Sequence, residues 1–248
     1  MQILQGLLLG VLIGTTLGVV GAGGAILAVP GLVAVMGLTA TSATTSSMVV
    51  VGTAALAGAL GRLKSKTLDI KTGVTFSLLG FLGTLLGSQL VGLFSNRALI
   101  LLFASLMFAA AIGMWRHQVV DREMAKPSWT MVILTASAVG LLTGLLGVGG
   151  GFLIVPALVL ILGVKVKLAA GTSLVAIAMN SIIAFLLRFH YWQLVPWNSI
   201  LVFTAAAVIA SFVTTPMATK LPSKALQKSF AVLVVIVGIF MVVTQGFK

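Results

Sequence analysis

The feature that most constrains this chain is a passage written twice. GTTLGVVGAGGAILAVPGLVA, starting at Gly14, returns 126 residues later as GLLTGLLGVGGGFLIVPALVL, starting at Gly140, with ten of 21 positions identical. Gly18/Gly144, Gly21/Gly147, Gly23/Gly149, Gly24/Gly150 and Pro30/Pro156 are among the matches. Each copy interrupts a long apolar stretch with glycines and then a proline, so a helix must break at the same place in both halves. In a membrane protein, paired breaks of this kind are the best sequence pointer to a substrate site.

The setting is a membrane. Of the residues, 60% are hydrophobic and 7% charged, and no charged side chain precedes Arg62. Apolar runs of about 18 or more residues, long enough to cross roughly 30 Å of hydrocarbon as helices, recur along the chain. They are continuous rather than alternating, which excludes transmembrane strands and leaves helices as the spanning structure. The opening MQILQ carries no Lys or Arg to start a secretory signal, so the first segment is expected to stay in the mature protein. The absence of cysteine removes disulfides, thiolate metal sites and thiol chemistry. A net charge of +12 would suit a nucleic-acid binder, but the 15 basic residues lie between apolar blocks rather than in one patch. There they meet lipid headgroups and set orientation, and nucleic acid is not an expected partner.

Apolar blocks near 3–20, 25–38, 43–61, 72–93 and 98–115 are mirrored near 129–146, 151–163, 168–187, 195–219 and 226–245. This divides the chain into a first membrane repeat (1–115), a polar linker on the cytoplasmic side (116–128) and a second membrane repeat (129–248). Ser47/Ser173, Val49/Val175 and Arg62/Arg188 keep the same spacing as the glycines. If the breaks merely kinked one helix, the two copies would be parallel and the basic residues would divide nine inside to six outside. If the chain reverses at each break, the second copy is inverted and the division becomes twelve to three, the stronger bias toward the cytoplasm. Residues 3–38 as one helix would also extend about 54 Å, nearly twice the hydrocarbon thickness. The expected fold is therefore an all-α integral membrane protein of two inverted-topology repeats. Each has about five segments, eight to ten in total, with glycine-broken first and sixth apolar stretches. Re-entrant hairpins and pairs of short crossings satisfy the pattern equally.

Gly23 and Gly24, with Gly149, Gly150 and Gly151, let the backbone turn sharply just before a new helix. The first NH groups of that helix lack internal partners and carry partial positive charge, which makes an anion cradle without a charged side chain. Gly10, Gly14 and Gly18 have the spacing of close helix packing instead. Downstream hydroxyls, chiefly Ser47, Thr172 and Ser173, offer uncharged donors, although such groups also cap helices or bond their own carbonyls. Asn180 is costly in lipid unless it faces a cavity or a neighbouring helix. Arg62 and Arg188 sit at equivalent segment ends, where they either guard two mouths for an anion or, more ordinarily, anchor the interface by snorkelling. His117 and His190 have no partners at metal-ligand spacing, and no carboxylate pair, HExxH motif or nucleophile with an adjacent base is present. Neither an enzyme nor a cofactor or metal site is expected, and a proton relay through intramembrane carboxylates has no visible carrier.

At GAGGAILAVPGL and GVGGGFLIVPAL, each followed by a hydroxyl- and small-residue-rich helix (SATTSSMVVVGTAA and AAGTSLVAIAMNS), the chain resembles the TauE/SafE family of sulfite exporters. Ala25 stands where the second copy has its third glycine. The resemblance implies a multi-pass protein of the bacterial inner membrane. It further implies export of a small sulfur-containing anion, sulfite or an organosulfonate, with a site at Gly23, Gly24, Gly149, Gly150 and Gly151 joined by Ser47, Thr172 and Ser173. The expected partners are that anion and the lipid bilayer, with a homo-oligomer left open. A passive anion channel and a non-transporting scaffold are the alternatives.

Overall fold

In a computed structural model describing residues 2–90, 93–94, 96–116, 128–146 and 151–245, every regular element among the described residues is a helix. Helix α1 (Gln2–Val20) ends where Gly21 takes a φ of 85°, a left-handed conformation that side chains disfavour. After Ala22 the chain turns back as α2 (Gly23–Met36), which returns along α1 so that Gly24 faces Ile13 and Gly31 faces Leu9. The reversal is thus a hairpin and not a kink. At 14 residues, α2 covers about 21 Å, short of the roughly 30 Å hydrocarbon layer. It stops at Gly37, whose φ of 64° lets its NH reach the Val33 carbonyl at 3.0 Å.

Thr39 then caps α3 (Ala40–Arg62) by accepting from the Ser42 NH at 3.3 Å. A short 3₁₀ turn (Leu63–Ser65) follows α3. Asp69 next opens α4 (Ile70–Leu90), taking the Thr72 NH at 3.0 Å and the Thr72 hydroxyl at 2.6 Å. Helix α5 (Asn96–Arg116) closes the first half. Of the expected linker, residues 117–127 lie outside the described residues.

The second half opens with α6 (Trp129–Leu146) and α7 (Gly151–Pro156), the latter continuing as a π-helical stretch (Ala157–Ile161). Gly163, at φ 63°, repeats the conformation of Gly37, 126 residues earlier. Helices α8 (Val166–Leu187), α9 (Trp197–Lys220) and α10 (Ser223–Gln245) complete the chain, with a 3₁₀ segment (Phe189–Leu194) between α8 and α9. Four of the described helices are long and apolar enough to cross a membrane: α3 with its 3₁₀ extension, α4, α8 and α9.

The helices interlock across the halves. Helix α1 runs parallel to α9, with Gly10 and Gly14 against Phe203 and Ala207 and Gly18 against Ser211 and Thr214. Helix α6 likewise runs parallel to α4, with Gly140 against Gly80 and Gly144 against Thr84. In lipid no hydrophobic force drives helices together, so backbones must approach closely to gain dispersion contacts, and glycine permits it. The approach is close enough for Thr84 Oγ1 to donate to the Gly140 carbonyl at 3.1 Å as well as to Gly80 at 2.9 Å. Helices α3 and α8 run antiparallel, since Gly52 meets Ser181 while Gly58 meets Leu174. Helices α5 and α10 are also antiparallel, with Met114 against Gln227 and Met107 against Gly238.

Basic residues of both halves gather at one end of this bundle. There Lys167 Nζ donates to the Thr219 carbonyl at 2.8 Å, Lys71 lies 5.2 Å from the Trp129 ring and Lys228 lies 5.5 Å from that of Trp115. At the other end the Ser42 hydroxyl donates to the Leu194 carbonyl at 2.7 Å. A cavity of about 340 Å³ opens there between Gly6 and Leu7 of α1, Met36 at the end of α2 with Leu38 just beyond it, and Asn198 and Ser199 of α9.

Candidate functional site

The first break rests on α8. The Ser173 hydroxyl donates to the Gly21 carbonyl at 3.0 Å, and a Cβ placed on Gly21 would run into the Ala170 backbone. One turn further along the same face of α8, Ile177 packs against Gly151, the first residue of α7. A Cβ on Gly151 would also lie 3.2 Å from Ala25. Ala25 and Gly151 are the same position in the two copies, so the starts of α2 and α7 meet in the middle of the molecule on one face of α8. No side chain caps the start of α2 at Ala22. Gly147, Gly149 and Gly150 lie outside the described residues.

Close to the first break lies a buried cation. Arg62, the last residue of α3, is 0% exposed. It donates from Nη2 to the Gly18 carbonyl and from Nη1 to the Lys167 carbonyl, each at 3.1 Å. The Gly18 carbonyl is in the last turn of α1, where the helix dipole leaves partial negative charge. The snorkelling expectation for Arg62 is thereby corrected. Its side chain turns inward because tight packing of α1, α3 and α9 leaves those carbonyls as its partners, and it ties α3 to α1 and α8.

A guanidinium removed from water is costly unless fully paired. Here Nε has no partner, and the only carboxylate among the described residues, Asp69, is engaged by Thr72. Facing the Gly58–Arg62 turn of α3 are two fully buried hydroxyls of α9, Ser211 and Thr215. Thr215 Oγ1 donates to the Ser211 carbonyl at 2.6 Å, while Ser211 Oγ has no partner. Two orphaned polar atoms at one helix junction, one of them on a cation, require a physical account.

The remaining sequence candidates separate. Gly23 and Gly24 are close-packed, the first against the Leu233 side chain, the second against Leu17 and the Ile13 carbonyl. Ser47 is buried and turns its hydroxyl to Thr44 of its own helix at 2.8 Å. Ser173 makes the same local bond, to Ala170 at 3.0 Å, besides its bond to the break. Thr172 Oγ1 accepts from the Asp69 NH at 3.2 Å, holding the loop before α4. Asn180 accepts from the Ser77 hydroxyl at 2.6 Å, which joins α8 to α4. Arg188, half-buried, ends α8 at the opposite end of the bundle from Arg62. Ser211 and Thr215 escaped notice in the sequence, although hydroxyls four residues apart just before the intramembrane Pro216 are a readable sign of a polar helix face.

A family model described as Sulfite exporter TauE/SafE matches residues 6–241. A "Probable membrane transporter protein" of Xylella fastidiosa (strain Temecula1 / ATCC 700964) is 33% identical over 246 residues, covering 94% of this chain and 92% of the relative. "Probable membrane transporter protein YunE" of Bacillus subtilis (strain 168) is 27% identical over 199 residues, covering 70% of this chain and 73% of the relative. No solved structure matches the chain. The family match spans both glycine passages, Arg62 and the helices packed around them, and this multi-pass membrane protein belongs to the sulfite exporter TauE/SafE family.

Proposed function

We propose that this protein is a secondary transporter that exports a small sulfur-containing anion, sulfite or an organosulfonate, across the bacterial inner membrane by alternating access. The anion is held beside the first break, where the starts of α2 and α7 approach each other and where Arg62, bonded to the Gly18 carbonyl, supplies the positive charge. The observation that carries this reading is a fully buried guanidinium with no carboxylate among the described residues to neutralise it, placed against the α1 break. An anionic cargo supplies the missing charge.

Two inverted repeats are supported by the antiparallel run of the matched helices α3 and α8, and by the exchange in which α1 packs on α9 and α6 on α4. They are supported too by the gathering of Lys71, Lys167 and Lys228 at one end, in line with the rule that basic residues stay inside. In such folds the two halves rock about a fixed central site. The energetics suit export: with the interior negative, exit gains about 2.3 kcal/mol per charge per 100 mV, so a dianion gains roughly 4.6 kcal/mol without a coupled proton.

Vesicles containing the purified protein and loaded with sulfite, sulfoacetate, sulfate or thiosulfate test the reading directly. Saturable efflux of a sulfur oxyanion, accelerated by a potential negative on the cytoplasmic side, is the expected result. No movement of any anion under any gradient would refute transport, and flux proportional to concentration without saturation would identify a channel. Orientation is checked separately. Because the chain lacks cysteine, single cysteines at Lys165 and Lys220 should both be shielded from an impermeant thiol reagent added outside intact cells and react once the cells are opened. Labelling of either from outside would refute the inverted arrangement.

A further inference from the structure

On the outer surface of the bundle, α5 and α10 leave a groove of about 380 Å³ lined by Phe108, Ala111, Ile112 and Trp115 on one side and Val232 and Val235, among others, on the other. It is apolar throughout, as a lipid-facing surface should be. Its basic end distinguishes it from the rest of that surface. At the C-terminus of α5, Trp115 is followed by Arg116. At the N-terminus of the antiparallel α10, Lys224 and Lys228 are four residues apart and share a helix face.

All three basic side chains are exposed, and Lys228 Nζ lies 5.5 Å from the Trp115 ring. The one carboxylate among the described residues belongs to Asp69, which is engaged with Thr72 at the start of α4. The groove is also held in register. Buried Gln227 donates to the Met114 carbonyl, and Gly238 fits against Met107 and Phe108 further along.

We propose that this groove is a binding site for one anionic phospholipid, with an acyl chain lying between α5 and α10. The headgroup phosphate is held by Lys228, assisted by Arg116 and Lys224. A neutral phospholipid would fill the same groove with its chain but would leave three neighbouring cations without a counter-charge among the described residues. An indole beside the cation suits the headgroup boundary, because its ring has an apolar body and its NH a polar edge. The same end of the bundle carries Lys71 and Lys167, so the site opens toward the leaflet at that end. Basic clusters between membrane helices recognise acidic headgroups through this combination of fixed charge and adjacent apolar wall.

The test uses the whole protein in phosphatidylcholine vesicles doped with phosphatidylglycerol, one or the other lipid carrying brominated acyl chains that quench indole on contact. Comparison with Trp115→Phe protein isolates the contribution of Trp115. Brominated phosphatidylglycerol should quench Trp115 at least about fivefold more effectively than brominated phosphatidylcholine at equal mole fraction. Lys228→Gln should lower that preference about fivefold, with smaller losses for Lys224→Gln and Arg116→Gln. Lys71→Gln, beside Trp129 and away from the groove, should leave it unchanged. Val235→Phe, which fills the groove without adding an indole, should lower quenching of Trp115 by both lipids. Equal quenching of the wild type by the two lipids would overturn the proposal, as would weak quenching by both, the result expected if a second copy of the chain covers the groove.

Discussion

Arg62→Gln is expected to lower anion efflux ten- to a hundredfold while the protein remains folded. The magnitude follows from a hydrogen bond to a charged partner, worth about 1.5–3 kcal/mol, lost in the transport step when the guanidinium is replaced by a neutral amide. The folding side has the opposite balance. A buried cation with an orphaned Nε carries a desolvation cost that glutamine does not, and glutamine can still donate to one of the Gly18 and Lys167 carbonyls. If Arg62 were only a brace, the same substitution would lower the melting temperature and leave flux per folded molecule unchanged. Arg62→Lys refines the comparison, since it keeps the charge and loses the planar fork that reaches two carbonyls at once. It should retain more flux than Arg62→Gln. Arg188→Gln, at the half-buried end of α8, is the control and should change flux little.

This result also bears on the proposed alternating-access cycle. Arg62 joins α3 to α1 and α8, and Lys167 joins α8 to α9, so four helices are linked at the basic end of the bundle. The opposite end has the cavity beside Gly6, Met36 and Asn198. In the proposed cycle these links break as the basic end opens, and Arg62 is then free to meet the cargo. Removing its charge therefore strikes both the site and the latch.

Gly140→Leu is expected to prevent stable folding, and Gly140→Ala to destabilise the protein by about 1–3 kcal/mol, read as a fall in melting temperature in detergent. A Cβ on Gly140 would overlap the Gly80 carbonyl, and backbone cannot rotate away as a side chain can. The strain must separate α6 from α4 and lengthen the bond from Thr84 to the Gly140 carbonyl that ties them. Gly14→Leu should behave alike, because its Cβ would strike the Ala207 carbonyl in the equivalent α1 and α9 contact. Gly6→Ala is the contrast. Its Cβ would meet only Phe203 Cδ2 at 3.6 Å, ordinary contact, and it should be tolerated. Tolerance of Gly140→Leu would mean that the parallel α4 and α6 pairing is wrong.

The glycine stripes and the first break could be read from residues alone because both are local. Spacing of four puts Gly10, Gly14 and Gly18 on one helix face, and a conformation such as that of Gly21 excludes most other residues whatever surrounds it. Ser47 and Ser173 mark the edge of this legibility. Both bond three residues back in their own helices, as their sequences allow, yet Ser173 is also known to reach the break, by a bond to Gly21 made across 152 residues. Asn180 likewise balanced between cavity and helix contact until Ser77 came alongside it from α4.

By itself, the sequence determined that this chain lies in a membrane, that its apolar blocks are helical, and that the first long run is interrupted at the glycines of 21–24. Hydrocarbon thickness, backbone hydrogen bonding and glycine stereochemistry decide those points within a few turns of chain. Only the tertiary structure decided that α1 and α2 form a hairpin, that Ala25 meets Gly151, and that Arg62 is fully buried while Arg188 is half-buried. The two arginines stand at matched segment ends, and both could have snorkelled to an interface. What separates them is the identity of the helices beside each one, and that depends on packing between residues more than a hundred positions apart.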